Sequence, residues 1–264
     1  MIMDILDNKF YTIVFFLAGI AIFFYGFKQI RRKRMVENMP TSAIRGLAMG
    51  LVEIAGTAQA ITKTGEPLKS PVTQAECAYY HYTVEMLEPV GKHAKWQKVA
   101  ESDTNEFPFM VSDATGKVPV APEGAEFYLS VSHRYLKEHD KPLPPHLQSF
   151  AEKHGLECYS ACHLLFKEWH IRQGQEVYVL GTAQKARGIP KAAAGEHPDA
   201  ARQGEPSDIL IGKGPEEKLF IISDKDQKGL AGQLSFEAKL WIVGGAVLSL
   251  YTLWSLILFI RLYY

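Results

Sequence analysis

The sequence is short of cysteine, has no excess charge of either sign, and contains none of the short signatures that mark catalysis. Cys77, Cys158 and Cys162 are the three cysteines in 264 residues. That number is too small and too odd for a disulfide framework, and it suits a reducing compartment. A bridge between Cys158 and Cys162 would close so small a loop that it would constrain little. Cations and anions number 29 each, so the formal net charge is zero. The global basic signature of a nucleic-acid binder is therefore missing, and no nucleic-acid partner is expected. There is no Gly-x-Ser-x-Gly elbow, no His-Glu-x-x-His and no phosphate-binding glycine loop. "IGKGPEEK" holds two glycines and a lysine without the required spacing and reads as a hairpin turn. Cys77 and His81 fall four apart on an expected strand, on one face but about 13 Å from each other. That is too far for a nucleophile and its base. No catalytic residue and no cofactor are expected.

Two long apolar runs are present. Phe10 to Phe27 carries no charge and as a helix would be roughly 27 Å long, enough for a bilayer core of about 30 Å. A signal peptide wants a basic start and a small-residue cleavage site. This start holds Asp4, Asp7 and Lys9, and aromatic and basic residues follow the run. The second run, Leu240 to Ile260, is also uncharged, lies between Lys239 and Arg261, and has Trp241, Tyr263 and Tyr264 near its ends, where interfacial aromatics are favoured. Two transmembrane helices, 10–27 and 240–260, are expected. Lys28, Arg31, Arg32, Lys33 and Arg34 follow the first run directly. The positive-inside rule makes them membrane-orienting and puts the intervening chain in the cytoplasm, with a prokaryotic inner membrane as the setting. The same cations suit anionic headgroups, which makes membrane lipids an expected partner.

Between the runs the pattern is strand-rich. "GLAMGLVEIAGTAQAI" opens it, with glycines suited to bends. In "ECAYYHYTVEML", Ala78, Tyr80, Tyr82 and Val84 alternate with Tyr79, His81, Thr83 and Glu85, and "AKWQKVAES" reads as its hairpin partner across "EPVGKH". Phe109 to Val111 and Lys117 to Val120 read as strands about the turn "DATG", with Asp113 and Gly116 at its turn positions. "LPPHLQSFAEKHGL" is helical, with Leu147, Phe150 and Ala151 on one face and Gly155 as its stop. "HLLFKEWHIRQGQEVYVLGTA" gives two strands about "RQGQ", whose core residues are expected to be Leu165, Trp169 and Ile171, then Val177, Val179 and Leu180. Residues 185–206, rich in Ala, Gly, Pro and charge, read as a long loop inside the domain. Strands resume at "DILIGKG" and "KLFIISD", and "DKDQKGLAGQLSFEAK" reads as a short helix leading into the second span. The expected fold is α+β and β-rich: a compact, mostly antiparallel, partial-barrel domain over 40–236 between two single transmembrane helices.

"HGLECYSACH" is the candidate for metal chemistry. His154, Cys158 and Cys162 fall at i, i+4 and i+8, one face of an unbroken helix, and thiolates with imidazole suit zinc. The competing reading is small buried cysteines beside solvent-facing histidines. "CYSACH" comes within one residue of a haem-attachment signature. Tyr79, Tyr80, Tyr82, Trp96, Phe107, Phe109 and Trp169 are expected to fill the core and its edge, the alternative being a ligand groove or a nucleic-acid platform, which the mixed charge disfavours.

The phrases "MPTSAIRGLAMGLVEIAGTA", "SPVTQAECAYYHYTVE", "FPFMVSDATGKVPVAPEGAEF" and "EWHIRQGQEVYVLGTA", in this order and spacing, resemble the GIDE or beside-a-membrane (BAM) domain family, known from the mitochondrial RING ubiquitin ligase Mulan. Similar domains without a RING occur in prokaryotic membrane proteins. The resemblance implies membrane anchoring and, in the ligase, ubiquitin transfer by a separate RING with about eight Cys/His zinc ligands. Three cysteines without a Cys-x2-Cys pair do not supply such a module. The expected function is a double-anchored, non-catalytic module that binds a membrane-proximal protein or lipid. The alternative is the ubiquitin-transferase role that the family name implies.

Overall fold

The computed structural model describes residues 2–61, 67–90, 93–138, 141–156, 162–185, 209–215 and 219–263. In chain order the elements are α1 (Ile2–Asn38), β1 (Gly50–Ala60), β2 (Cys77–Val90), β3 (His93–Asp103), β4 (Phe109–Ser112), β5 (Lys117–Val120), β6 (Glu126–Tyr128), β7 (His133–Lys137), α2 (Pro145–Lys153), β8 (Leu164–Arg172), β9 (Glu176–Lys185), β10 (Ile209–Gly212), β11 (Ile221–Ser223) and α3 (Gln227–Tyr263). They fall into two compact units, Pro40–Asp226 and the pair Met1–Met39 with Gln227–Tyr264.

In the larger unit, β1, β4, β5, β10 and β9 pair successively, and β9 pairs back with β1, so five strands form a ring. β11 and β6 extend this sheet from β9. The pairing is antiparallel except for β5 with β10 and β6 with β11. Period-2 alternation explains the core: Phe109, Val111, Val118 and Val120 are fully buried while their neighbours face out. They pack with Ile54, Val179, Ile211 and Phe220. Truncating a fully buried side chain such as Phe109 to alanine would cost about 3–5 kcal/mol.

The second sheet has the order β3-β2-β8-β7. α2 starts on Pro145, a ring that suits a first helical turn. It ends before Gly155, whose φ of 66° favours glycine. The helix lays Leu147, Phe150 and Ala151 on Tyr82, Val84, Leu164 and Phe166, which gives a second core.

Several expectations need correction. β8 is buried on both faces, with Leu164 and Phe166 in the second core and Leu165 and Ile171 on the other side, while Trp169 is only half-buried. β10 and β11 do not form a hairpin across "IGKGPEEK"; both pair with β9, one after the other along it. The β2–β3 ladder runs on to Val90 and His93, so "EPVGKH" is largely strand. β6 and β7 are additional short strands. The long loop at 185–206 lies outside the described residues but for Lys185, the last residue of β9.

The smaller unit is a pair of 37-residue helices. Each is long and apolar enough to cross a membrane. The expected short helix before the second run is the first part of α3, continuous with the apolar stretch. The helices touch through small residues: a Cβ added to Gly245 would stand 2.5 Å from the Phe23 amide nitrogen and 2.8 Å from the Gly19 carbonyl. Tyr25 and Trp241 meet edge to face at 5.6 Å. Gln227 Nε2 donates to the Val36 and Met39 carbonyls at 2.7 and 3.1 Å, which satisfies acceptors that the end of α1 leaves open.

Candidate functional site

A cleft of about 330 Å³ opens between the second sheet and β6. Strand register builds its floor. Asp103 on β3 lies opposite His81 on β2, and His81 lies opposite Trp169 on β8, so one row of cross-strand partners shares a face. Tyr79, two residues before His81, joins that face and is buried. Across from it come Ala125, Phe127 of β6 and Leu129. Tyr79 stacks on Phe127 with ring centroids 4.4 Å apart, and His81 lies 5.2 Å from the Trp169 ring. At the polar end, Tyr79 Oη donates to Asn105 Oδ1 (3.2 Å). Asn105 Nδ2 and its backbone amide donate in turn to the two Asp103 carboxylate oxygens at 2.7 and 3.0 Å. His81 Nδ1 lies 3.9 Å from Asp103 Oδ2 and Nε2 3.6 Å from Glu101 Oε1. Burial, helped by the Asp103 charge, pushes the Tyr79 phenol far up, so it remains a neutral donor. Of the aromatics read as core or groove, Phe109 and Tyr82 are core, Tyr79 and Trp169 line the cleft, and Phe107 stands exposed two residues after Asn105. Alternation alone does not separate these cases, because both faces of β2 and β8 are covered.

The opposite face of β8 holds two buried ionisable groups that sequence reasoning missed. Glu168 is fully buried, with no donor at close hydrogen-bond geometry on either oxygen. Burial pushes its carboxyl up, and the nearby Thr73 hydroxyl and amide offset this only in part. His170 is buried too, and Arg172 Nε donates to its Nε2 at 3.4 Å. The proton of the neutral ring is therefore on Nδ1. Burial, then the charges of Arg172 and His133, push the imidazole pKa down. Cys77 was expected on the same strand face as His81. A bulge between Cys77 and Tyr79 puts them on opposite faces, with Cys77 opposite Arg172. Burial and the charge of Glu168 push its thiol up to about 12.

The candidate metal residues are not gathered on one helix. α2 ends at Lys153, and His154 is its C-terminal boundary. His154 Nδ1 donates to the Phe150 carbonyl at 2.9 Å, and Nε2 accepts from Tyr82 Oη at 3.1 Å, with the ring stacked on Phe150. Both ring nitrogens are thus engaged. Cys162 is half-buried beside the second core, and Cys158 lies outside the described residues. Among the described residues no three His, Cys, Asp or Glu side chains come together as metal ligands. Lys28, Arg31, Arg32, Lys33 and Arg34 all lie on α1, where Lys28, Arg31 and Arg34 are exposed and Lys33 pairs with Glu37 at 3.2 Å.

The family model of the GIDE domain, described as E3 ubiquitin ligase, matches residues 79–197. That stretch, fewer than half of the residues of the chain, is similar to the GIDE domain. All eight residues that line the cleft fall inside the matched stretch, as do Glu168 and His170. The ring strand β1, the strands β10 and β11 and the two long helices lie outside it. No curated protein and no solved structure matches the chain significantly.

Proposed function

We propose that the chain is a doubly anchored membrane protein whose GIDE domain is a non-catalytic module that binds a membrane-proximal protein. The observation that carries this reading is the cleft: half-buried aromatics and a carboxylate held in place by Asn105, with an exposed apolar residue, Phe107, two residues further along the chain. Half-buried aromatics with a few fixed polar groups are the usual make-up of a binding site. Two membrane helices would confine the domain and raise its effective concentration toward partners in the same membrane. The positive-inside rule puts the domain in the cytoplasm of a cell whose inner membrane holds the helices, with the α1 cations against anionic headgroups. A topology reporter inserted at Ala194 tests the side.

The binding role is tested by replacing Phe107 with a photo-crosslinking residue in the full-length chain. A discrete protein adduct is expected on irradiation in cells, lost in a Trp169→Ala background. Adducts to lipid alone, or a protein adduct indifferent to Trp169→Ala, would count against it. The family's description favours a second reading, a part in ubiquitin transfer. An assay of the full chain with ubiquitin, its activating and conjugating enzymes and ATP separates the two, since the binding role predicts no chain-dependent conjugate.

A further inference from the structure

We infer that the cleft takes the side chain of an arginine presented by a partner protein. This rests on the reading of the domain as a protein-binding module and specifies what that module recognises. Asp103 is the only fixed charge among the described residues that line the cleft, and no lysine or arginine lines it. Glu101, two residues earlier on the same face of β3, lies beside His81 but is paired with Lys98 at 2.5 Å, so the negative charge of the cleft rests on Asp103. A cationic guest is the complement of such a lining, and an anionic guest is repelled.

Tyr79 is buried behind Phe127, and the half-buried rings of Phe127 and Trp169 line the cleft; aromatic faces attract a cation through the ring quadrupole, tryptophan most strongly. A guanidinium is planar, stacks on such faces and is weakly hydrated, so it gives up less on entering than an ammonium.

An ionised carboxylate has about four acceptor positions, and Asn105 occupies one on each oxygen of Asp103. The remaining pair suits the two parallel N–H groups of a guanidinium fork. Asn105 is itself held by the Tyr79 hydroxyl, so the carboxylate is oriented before a guest arrives and less ordering cost falls on binding.

The test uses the full chain in neutral nanodiscs with indole ¹⁵N–¹H spectra, the Trp169 signal being assigned by Trp169→Phe. The probes are the acetylated, amidated peptide Gly-Ser-Arg-Ser-Gly, the same peptide with citrulline or glutamate for arginine, and free L-arginine. The arginine peptide should shift the Trp169 signal saturably, and more weakly at high salt. Citrulline, which keeps the shape and removes the charge, should bind at least tenfold more weakly, as should the arginine peptide to Asp103→Asn. Because the citrulline comparison needs no variant, it decides even where Asp103→Asn fails to fold. Equal binding of citrulline or glutamate peptide, or no shift with arginine, overturns the proposal. Free L-arginine binding as tightly as the peptide overturns it also, by making the guest a small molecule. A Phe107 crosslink that Trp169→Ala abolishes but Asp103→Asn leaves intact would sink the arginine assignment while leaving the binding module standing.

Discussion

Glu168 and His170 stand two residues apart on one face of β8, with His170 Nδ1 3.9 Å from Glu168 Oε1. That is beyond hydrogen-bond reach, and only the weak approach of the Thr73 hydroxyl and amide offsets the burial of the carboxylate. The strand forces the two side chains to the same side, where Tyr80 and Tyr82 of β2 and His133 of β7 face them in register. Each group is held toward its neutral form, the carboxyl by a raised pKa and the imidazole by a lowered one. The fold keeps them although each costs stability in its own pH range.

The signs of those costs differ. Glu168 has its ordinary pKa near 4.5 when unfolded. Its penalty is absent below that value and grows as pH rises toward the folded pKa. Glu168→Gln should therefore stabilise the full chain at pH 7–8, by on the order of 1–3 kcal/mol, and the gain should vanish near pH 4. His170 works in the other direction: its penalty is absent above its ordinary 6.5 and grows as pH falls below it. Urea melts in detergent across pH 4–8 check both trends.

Cys77 should be chemically silent. With its thiol pushed up to about 12, the thiolate fraction at pH 8 is about one in ten thousand. Iodoacetamide at pH 8 should leave Cys77 unmodified in the native chain and alkylate it fully in denaturant, as read by peptide mass spectrometry. Prompt native labelling of Cys77 would contradict the packing around Glu168.

Asp113 ties a turn of the barrel to the segment before β1. Its carboxylate accepts the amides of Ile44 (2.9 Å), Thr115 (2.6 Å) and Gly116 (2.9 Å) and the Thr115 hydroxyl (2.7 Å). Burial, the largest single influence, raises its pKa, but the donors together outweigh it and the net shift is downward. The stabilisation is thus present above pH 3.8 and lost as pH falls through the folded value. Asp113→Ala should cost about 1–2 kcal/mol at pH 7 and progressively less below pH 4, measured in the same melts.

This turn was legible because the sequence fixes it locally: "DATG" needs an acceptor at Asp113 and a small residue at Gly116, whatever surrounds them. The apolar runs and the alternation in β2, β4 and β5 were legible for the same reason. The cleft was not. Whether Tyr79 and Trp169 meet a core or an opening depends on β6, a three-residue strand that pairs in parallel with the distant β11, and no local pattern announces such a pairing. The face of Cys77 also escaped, because one bulge inverts the alternation. Glu168 and His170 look like solvent-facing residues in a half-exposed strand, and only the burial of both faces of β8 makes them informative.

The helix pair offers a test that does not involve the larger unit. The Gly19–Gly245 contact leaves no room for a side chain: a Cβ on Gly19 would stand 2.5 Å from Ser249 Oγ and 2.9 Å from the Ser249 amide. Close backbone approach of this kind is what small residues contribute to helix association in lipid, where packing replaces the hydrophobic effect. Gly245→Leu should therefore force the helices apart and destabilise their association by about 1–3 kcal/mol, the usual cost of overpacking. Gly244, one residue earlier, has nothing within 4 Å of an added Cβ, so Gly244→Leu changes hydrophobicity and helix propensity equally without touching the seam. SDS-titration unfolding in mixed micelles should show a lower midpoint for Gly245→Leu than for Gly244→Leu. Equal midpoints would mean that the seam is not where the two helices hold each other.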